Sequence, residues 1–505
     1  MKKHIQKIVA VVLLMTLFCN NAIVVKAESS ESKVIVNNET KQVFNDYFAV
    51  RENAFYAGNN SRARSSSEVY NNLLVESEVL AVEAVRNKGI EDYINACDIE
   101  VVNVTTSYSV GECESISACR NTKYRNEVEY SVYEWTWIEY TADGKTIENM
   151  GMGTEHKITV AFDGENYVII SDEYDESDIS GVCTLEEVYV ENTEEEIDIE
   201  AFKQDRDIES RSFFNSQREL DINAFIEYAD AWVGHTAATT GGFYYESYNP
   251  AYYYYYDDKE EEGVDCTNYA SQCLHAAGMA FDTSGTATWW ADITTNTTPQ
   301  QGDGSNSAPA WRSIGSFRPY WIVSQGYEEV DFNTDDLSPG CVVTNSAKNH
   351  VMVCVGYNRS GKPILNGHSN DRYHMLASGF TGARYTLRFT YESPNLYTTL
   401  SASTTQQSGA ISSAGTKYYY KFVPDSTGFY EIYTESSIDM AGKIYTESIH
   451  SMNGNSYGIM QIYDKDDNGS SNGSDFWLMP YLTAGEAYYI EVSASSTGSY
   501  VLHID

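Results

Sequence analysis

The residues best suited to chemistry lie in Val264-Asp-Cys-Thr-Asn-Tyr-Ala-Ser-Gln-Cys-Leu-His-Ala-Ala-Gly278. This run predicts a helix that begins at Asp265/Cys266 and ends near Ala277, before the glycine. A cysteine in the first turn faces the positive end of the helix dipole, which lowers its pKa and raises the thiolate fraction. A thiolate nucleophile needs an imidazole to complete the ion pair and to protonate a leaving amine. Lys348-Asn-His-Val-Met-Val-Cys-Val supplies His350 at the mouth of a strand. A third polar group on the next strand should fix the tautomer of that ring. The run Ile364-Leu-Asn-Gly-His-Ser-Asn-Asp offers Asn366, His368, Asn370 and Asp371. Strand register is not legible to one residue, so these four stay open at this point.

Other residues nearby have plainer readings. Cys273 lies two turns along the same helix and reads as core, as do Cys341 and Cys354 in strands. His275, nine positions from Cys266, turns away from it. Asp265 reads as a helix cap or a wall residue rather than an acid catalyst. The Cys266 backbone N–H is a candidate oxyanion donor.

The elements that position these residues follow from periodicity. A helix at 221–234 is capped by Asp221 and presents Phe225, Tyr228, Ala229 and Trp232 on one face. A Tyr-rich loop at 252–256 and an acidic run to Glu262 precede the cysteine helix. Strands are expected at 340–343, 351–356, 364–366 and 385–390. Cysteine on a helix, histidine on a strand and a polar orienter on the following strand is a papain-like arrangement. The expected fold class is therefore α+β, with a papain-like cysteine hydrolase core between an N-terminal α+β module and a C-terminal β-sandwich.

In the N-terminal module, residues 40–97 carry helical periodicity through Tyr70, Leu73, Leu74, Val75, Val79, Leu80, Val82 and Val85. Strands then follow at 128–138, 156–162 and 167–170, with turns at Asp143-Gly144 and Asp163-Gly164. No catalytic set is visible here, and His156 beside Glu155 reads as structural. The acidic stretch at 172–210 reads as a solvated linker. From about 396 the chain turns to Ser, Thr, Gly and Tyr with short strands, the rhythm of a small antiparallel sandwich. There, Asp464, Asp466, Asn468 and Asp475 match the ligand spacing of a calcium loop. Between strands, a Ser/Gly/Asp turn is the plainer account.

Length and charge bound the function. A chain of 505 residues needs several domains. With 73 Asp+Glu against 33 Lys+Arg, the net charge of −40 excludes the basic footprint of a nucleic-acid binder. Residues 1–27 read as a secretory signal peptide: Lys2, Lys3 and Lys7 precede a short apolar run, and Ala27 precedes the cut. Nothing later is long and apolar enough to span a bilayer. The expected product is secreted and extracellular, and not membrane-spanning. Eight cysteines remain, among which Cys113 and Cys119 could close a small loop. No zinc-ligand spacing appears.

The middle segment, about 220–392, resembles the "Putative amidase domain" family of the papain-like and NlpC-like clan of cell-wall hydrolases. The matching residues are Asn249-Pro250, the run from Asp265 to Leu274, Trp289-Trp290 and Trp311, Asn349-His350, and His368-Ser-Asn-Asp371. Pro339-Gly-Cys-Val-Val departs from the Gly-Asp-Val that relatives tend to carry. The resemblance implies Cys266 as nucleophile, His350 as base and His368 as the group that orients it. It also implies amide-bond hydrolysis without a required cofactor, on peptidoglycan or a peptide. A secreted peptidase of proteins and an inactive adhesive or glycan-binding surface protein are the rival readings. Residues 396–505 resemble the bacterial pre-peptidase C-terminal domain through Tyr420-Lys-Phe, Gly428-Phe-Tyr, Asp466-Asp467, Leu482-Thr-Ala-Gly485, Tyr488-Tyr-Ile and Gly498-Ser-Tyr. Residues 28–205 resemble the region that often precedes this amidase domain, through Glu134-Trp-Thr-Trp and Gly153-Thr-Glu-His156.

Overall fold

The computed structural model describes residues 36–56, 73–115, 123–185, 220–234, 247–255, 265–345, 350–368, 371–380, 382, 384–466, 469 and 474–505. The expected signal peptide, Cys119, Asn370 and Asn468 lie outside them. The chain forms two compact units. The first takes residues up to Thr141 and from Gly151 to Glu187, with Gly234 to Ser247; the second takes Ala142 to Met150, Val188 to Val233, and Tyr248 onward. No helix among the described residues is long and apolar enough to cross a membrane.

In the first unit, helices α1 (Asn38–Asn53) and α2 (Ser77–Cys97) pack on antiparallel strands β1 (Glu100–Ser115), β2 (Arg125–Thr141), β3 (Glu148–Phe162) and β4 (Tyr167–Glu173). Asn37 caps α1 by accepting from the Thr40 N–H at 2.7 Å. Val43, Phe44, Tyr47 and Phe48 of α1 meet Tyr130, Val132, Ile158, Val160 and Ile169 of the sheet. The helical period expected across 73–75 is not realised. Leu74 O accepts from Ile169 N and Glu76 N donates to Ile169 O, so this stretch lies along β4 as a bridge. Sheet pairing there satisfies backbone groups that a helix end would leave open.

The acidic run at 172–176 is not a solvated linker either. Asp172 and Glu176 are buried acceptors in an ionic cluster under the helices. Arg51 reaches Glu83 at 2.5 Å, Glu176 at 2.5 Å and Glu134 at 2.9 Å, and Arg86 reaches Glu176 at 2.7 Å. His156 lies 3.0 Å from Asp172 and 3.3 Å from Glu134. Tyr47 and Tyr174 donate to Asp172 and Glu83. Charges this deep are tolerated only because each is paired and hydrogen-bonded. Burial alone would lower the His156 pKa, but Asp172 and the hydrogen bonds it makes raise it to about 9. Burial would raise Glu134, yet Arg51 and His156 hold it well below the usual carboxylate range.

In the second unit, α3 (Ile222–Ala231) and α4 (Asp265–Ala276) cover a six-stranded antiparallel sheet. Its strands are β5 (Glu328–Asp331), β6 (Val342–Asn345), β7 (Val351–Tyr357), β8 (Pro363–Gly367), β9 (Arg372–Leu376) and β10 (Arg384–Arg388), in spatial order β9-β8-β7-β6-β10-β5. Strand β7 is buried along its whole length, which accounts for its unbroken apolar run. Cys341, Val343, Met352, Cys354 and Leu365 form one core on the sheet. Asp221 caps α3 as expected, accepting from Ala224 N at 3.0 Å.

Residues beyond 396 form two larger sheets and a two-stranded one around one core that includes Phe422, Ile432, Ile444, Phe476, Ile490 and Leu502. The strands Tyr418–Phe422, Tyr488–Ala494 and Gly498–Ile504 fall where the sequence rhythm places them. Residues 248–391 and this sandwich belong to one compact unit. Tyr391 pairs with Met460 across strands. Gln461, buried, accepts from Leu220 N at 2.6 Å and donates to Leu220 O at 2.9 Å, serving as a strand partner just before α3.

Three measurements check these packing arguments. Replacing Arg51 by Met should destabilise the first unit by about 3–5 kcal/mol in urea unfolding, since it strands buried carboxylates. The His156 contribution should be complete below its ordinary pKa and be lost as pH rises through about 9, because protonation is what the fold favours. A urea-midpoint series from pH 6 to pH 10 on wild type and His156→Gln would show this, the two curves converging at the alkaline end. Gln461→Leu should cost ~1–3 kcal/mol in the second unit by orphaning both Leu220 groups.

Candidate functional site

Every residue from Asp265 to Leu274 is buried, although the segment is largely polar. Each polar side chain is given a partner. Trp311 Nε1 donates to Asn268 Oδ1 at 2.6 Å, and Trp289 Nε1 to Ser271 Oγ at 3.1 Å. Ser271 Oγ donates to the Trp311 carbonyl, and Tyr269 OH to that of Ala229 on α3. Tyr228 donates to Gln272 at 2.6 Å and accepts from Asn249 at 2.9 Å. The tryptophans and Asn249 singled out in the sequence are thus the brackets that hold α4 in place.

Cys266 is the second residue of α4, a free thiol with no exposed surface. The Val351 backbone N–H lies close enough to its Sγ to favour the charged form, and Thr267 Oγ1 is 3.9 Å away. The thiol therefore meets the sheet at the residue that follows His350. The sequence predicts a depressed pKa, but the opposite holds in this state. Burial pushes the thiol up to about 11, and the Val351 N–H only partly offsets this. Desolvation of the charged form outweighs the help of one helix end. In this state Cys266 is therefore held as the thiol rather than the thiolate.

His350 stands half-buried at the mouth of β7. Its N–H donates to Asn345 Oδ1 and its carbonyl accepts from Asn345 N, each at 3.2 Å. Its Nε2 lies 3.6 Å from where a Cβ on Gly367 would sit, and that Cβ would press Met352 at 2.9 Å. Glycine at 367 thus leaves room for both side chains beside β8.

His368 follows directly on β8 and is buried. Its Nδ1 lies 2.5 Å from Asp265 Oδ2, and its Nε2 is 3.7 Å from Asp371 Oδ1. Both ring nitrogens face carboxylates. The residue read as a plain helix cap, Asp265, is thus the main partner of the residue read as the orienter of His350. Asn366 donates to Asp230 on α3 at 2.8 Å and accepts from His374 N, rather than reaching along the strand mouth. His374 in turn bonds Asp230 at 2.8 Å, with its backbone at φ 51°. Neither Asp230 nor His374 is marked by any motif; the packing of α3 on the sheet brings Asp230 to Asn366, and the pairing of β8 with β9 brings His374.

The calcium reading finds its carboxylates otherwise engaged. Asp466 Oδ2 accepts from Gly469 N and Trp477 N, and Asp475 accepts from Thr434 Oγ1 and Ser436 N. Among the described residues no cluster of three or more His, Cys, Asp or Glu is arranged to hold a metal.

Residues 219–391 match the family model described as "Putative amidase domain". No curated protein matches the chain. Among solved structures, the pre-peptidase C-terminal domain of a collagenase from Bacillus anthracis is similar at 18% identity, over 22% of this chain and 98% of that one, with a TM-score of 0.17. The Yersinia pseudotuberculosis-derived mitogen is similar at 13% identity, over 20% and 81%, with a TM-score of 0.15. A periplasmic inhibitor of g-type lysozyme from Aeromonas hydrophila is similar at 13% identity, over 22% and 97%, also at 0.15.

The buried thiol in this amidase segment makes a direct prediction. Alkylation of Cys266 by iodoacetamide, followed by peptide mass mapping, should rise with pH and show its inflection well above 9. An inflection below 7 would show a resting thiolate instead.

Proposed function

We propose that residues 219–391 hydrolyse an amide bond through a covalent thioester on Cys266. The observation that carries the reading is the seat of the thiol: first turn of a buried helix, against the N–H of the residue that follows His350. Sγ attacks the carbonyl carbon while the thiol proton passes to His350. The C–N bond then breaks, and the leaving amine takes that proton. A water that gives a proton to His350 attacks the thioester, releasing the acid and restoring the thiol. First-turn N–H groups of α4 lack helical partners, and the Cys266 N–H is placed among them as an oxyanion donor. No cofactor takes part in this scheme.

Peptide linkages of peptidoglycan are the proposed substrate class, and the proposed site of action is outside the cell. The leader-like residues 1–27 and the large negative charge support an exported, soluble protein. Purified protein incubated with peptidoglycan should release fragments whose masses report cleavage of an amide bond. Cys266→Ala should lower that activity on the order of 10³-fold or more while the fold persists. Full activity in that variant would remove the proposal. Cleavage of casein but not of peptidoglycan would move the substrate class to proteins.

A further inference from the structure

We infer that Asp265 and His368 form a positioning pair that sets Cys266 against the mouth of the sheet. The inference rests on the proposed role of Cys266 as nucleophile. Asp265 is the first residue of α4 and is 1% exposed. Its carboxylate accepts three hydrogen bonds: Oδ1 from Tyr255 N at 2.9 Å and from Asn268 Nδ2 at 2.8 Å, and Oδ2 from His368 Nδ1 at 2.5 Å. Both carboxylate oxygens are thus used as acceptors. Such a group joins the Tyr-rich loop, the first turn of α4 and the end of β8.

The ring of His368 is held as firmly as its nitrogen. It stacks on Tyr269, one turn further along α4, with centroids 5.1 Å apart and planes at 28°. Tyr248 meets it edge-on at 4.5 Å. The imidazole is therefore fixed by two aromatic faces and aimed at Asp265.

The register of the sheet shows why this matters for the thiol. Strands β7 and β8 pair Met352 with Gly367. One step further along the same antiparallel register sets His368 opposite Val351. On the helix, Asp265 and Cys266 are consecutive. Two residues of α4 one turn apart thus hold the same ring at the end of β8: Asp265 by a hydrogen bond and Tyr269 by stacking. Two attachment points fix both the height and the rotation of the first turn, and Cys266 is the residue next to Asp265 within it. His368 acts on the chemistry through Asp265 and the helix, not by touching substrate.

The test separates donor from ring. His368→Phe keeps the aromatic packing and removes the donor; His368→Asn places an amide N–H near the lost Nδ1 and removes the ring. Thermal melts identify the folded variants. In His368→Phe, alkylation of Cys266 by iodoacetamide and kcat on peptidoglycan peptides should each fall about 10- to 100-fold, with KM little changed. His368→Asn should recover most of both. If His368→Phe does not fold, Asp265→Asn gives the same reading, since it keeps one acceptor oxygen for Tyr255 and loses the carboxylate facing His368. Wild-type alkylation and kcat in the donor-less variants would overturn the pair. So would equal impairment of His368→Phe and His368→Asn. Cys266→Ala run alongside keeps the two ideas apart. Hydrolysis by that variant defeats the proposed nucleophile, whereas a dead Cys266→Ala with an unaffected His368→Phe defeats only the pair.

Discussion

A polar helix is buried whole, and the candidate site depends on that fact. Ten consecutive residues of α4, from Asp265 to Leu274, are out of water. Burying so many hydroxyl, amide and carboxyl groups is unfavourable unless each finds a partner. The surrounding loops provide those partners. Trp289, Trp311, Tyr228, Tyr255 and His368 each satisfy one of them. Because the partners come from loops and strands far apart in sequence, the helix has few positions in which all are satisfied at once. The cost of a wrong position is several unpaired polar groups, which is a strong constraint on where Cys266 stands.

The same logic governs its reactivity. Dry surroundings hold the thiol protonated, with burial outweighing the Val351 N–H. In the proposed mechanism the charge develops only when a base accepts the proton, in a place where hydrogen-bond donors act with little screening. In the first unit, burial is used for stability rather than chemistry. Arg51, Arg86 and His156 are interleaved with Glu83, Glu134, Asp172 and Glu176 so that no charge is left alone. Such a cluster is intolerant of single replacements, since each removes a counter-charge from several neighbours.

The sandwich and residues 219–391 are joined by specific contacts. A shift in composition near 396 suggests a separate module. Yet Gln461 hydrogen-bonds both backbone groups of Leu220, Tyr391 pairs with Met460, and His450 meets Asn223 at 3.0 Å. The sandwich supplies backbone partners to the start of α3, and α3 carries the Tyr228 and Ala229 groups that brace α4. Changes on the sandwich edge therefore reach the candidate site through α3.

Much was legible in the residues alone. The start of α4, the strand after His350 and the repeated strands of the sandwich all follow from local patterns: a helix-terminal glycine, an unbroken apolar run, alternation every second residue. The bracketing tryptophans were visible as landmarks, though not what they bracket. What failed were inferences about environment. The acidic run at 172–176 looks solvated because charge usually is, and only the arrival of Arg51 and Arg86 from two helices makes it core. Cys266 looks activated because the helix end is local, whereas the desolvation that opposes it comes from the whole fold. Asp265 looks like a cap because nothing nearby reveals that His368, 103 residues later, will face it. Local periodicity encodes which elements form, since it acts between neighbours in the chain. Which polar groups meet, and in how dry a place, is decided only when distant segments pack, because dielectric and hydrogen-bond partners are properties of the assembled interior.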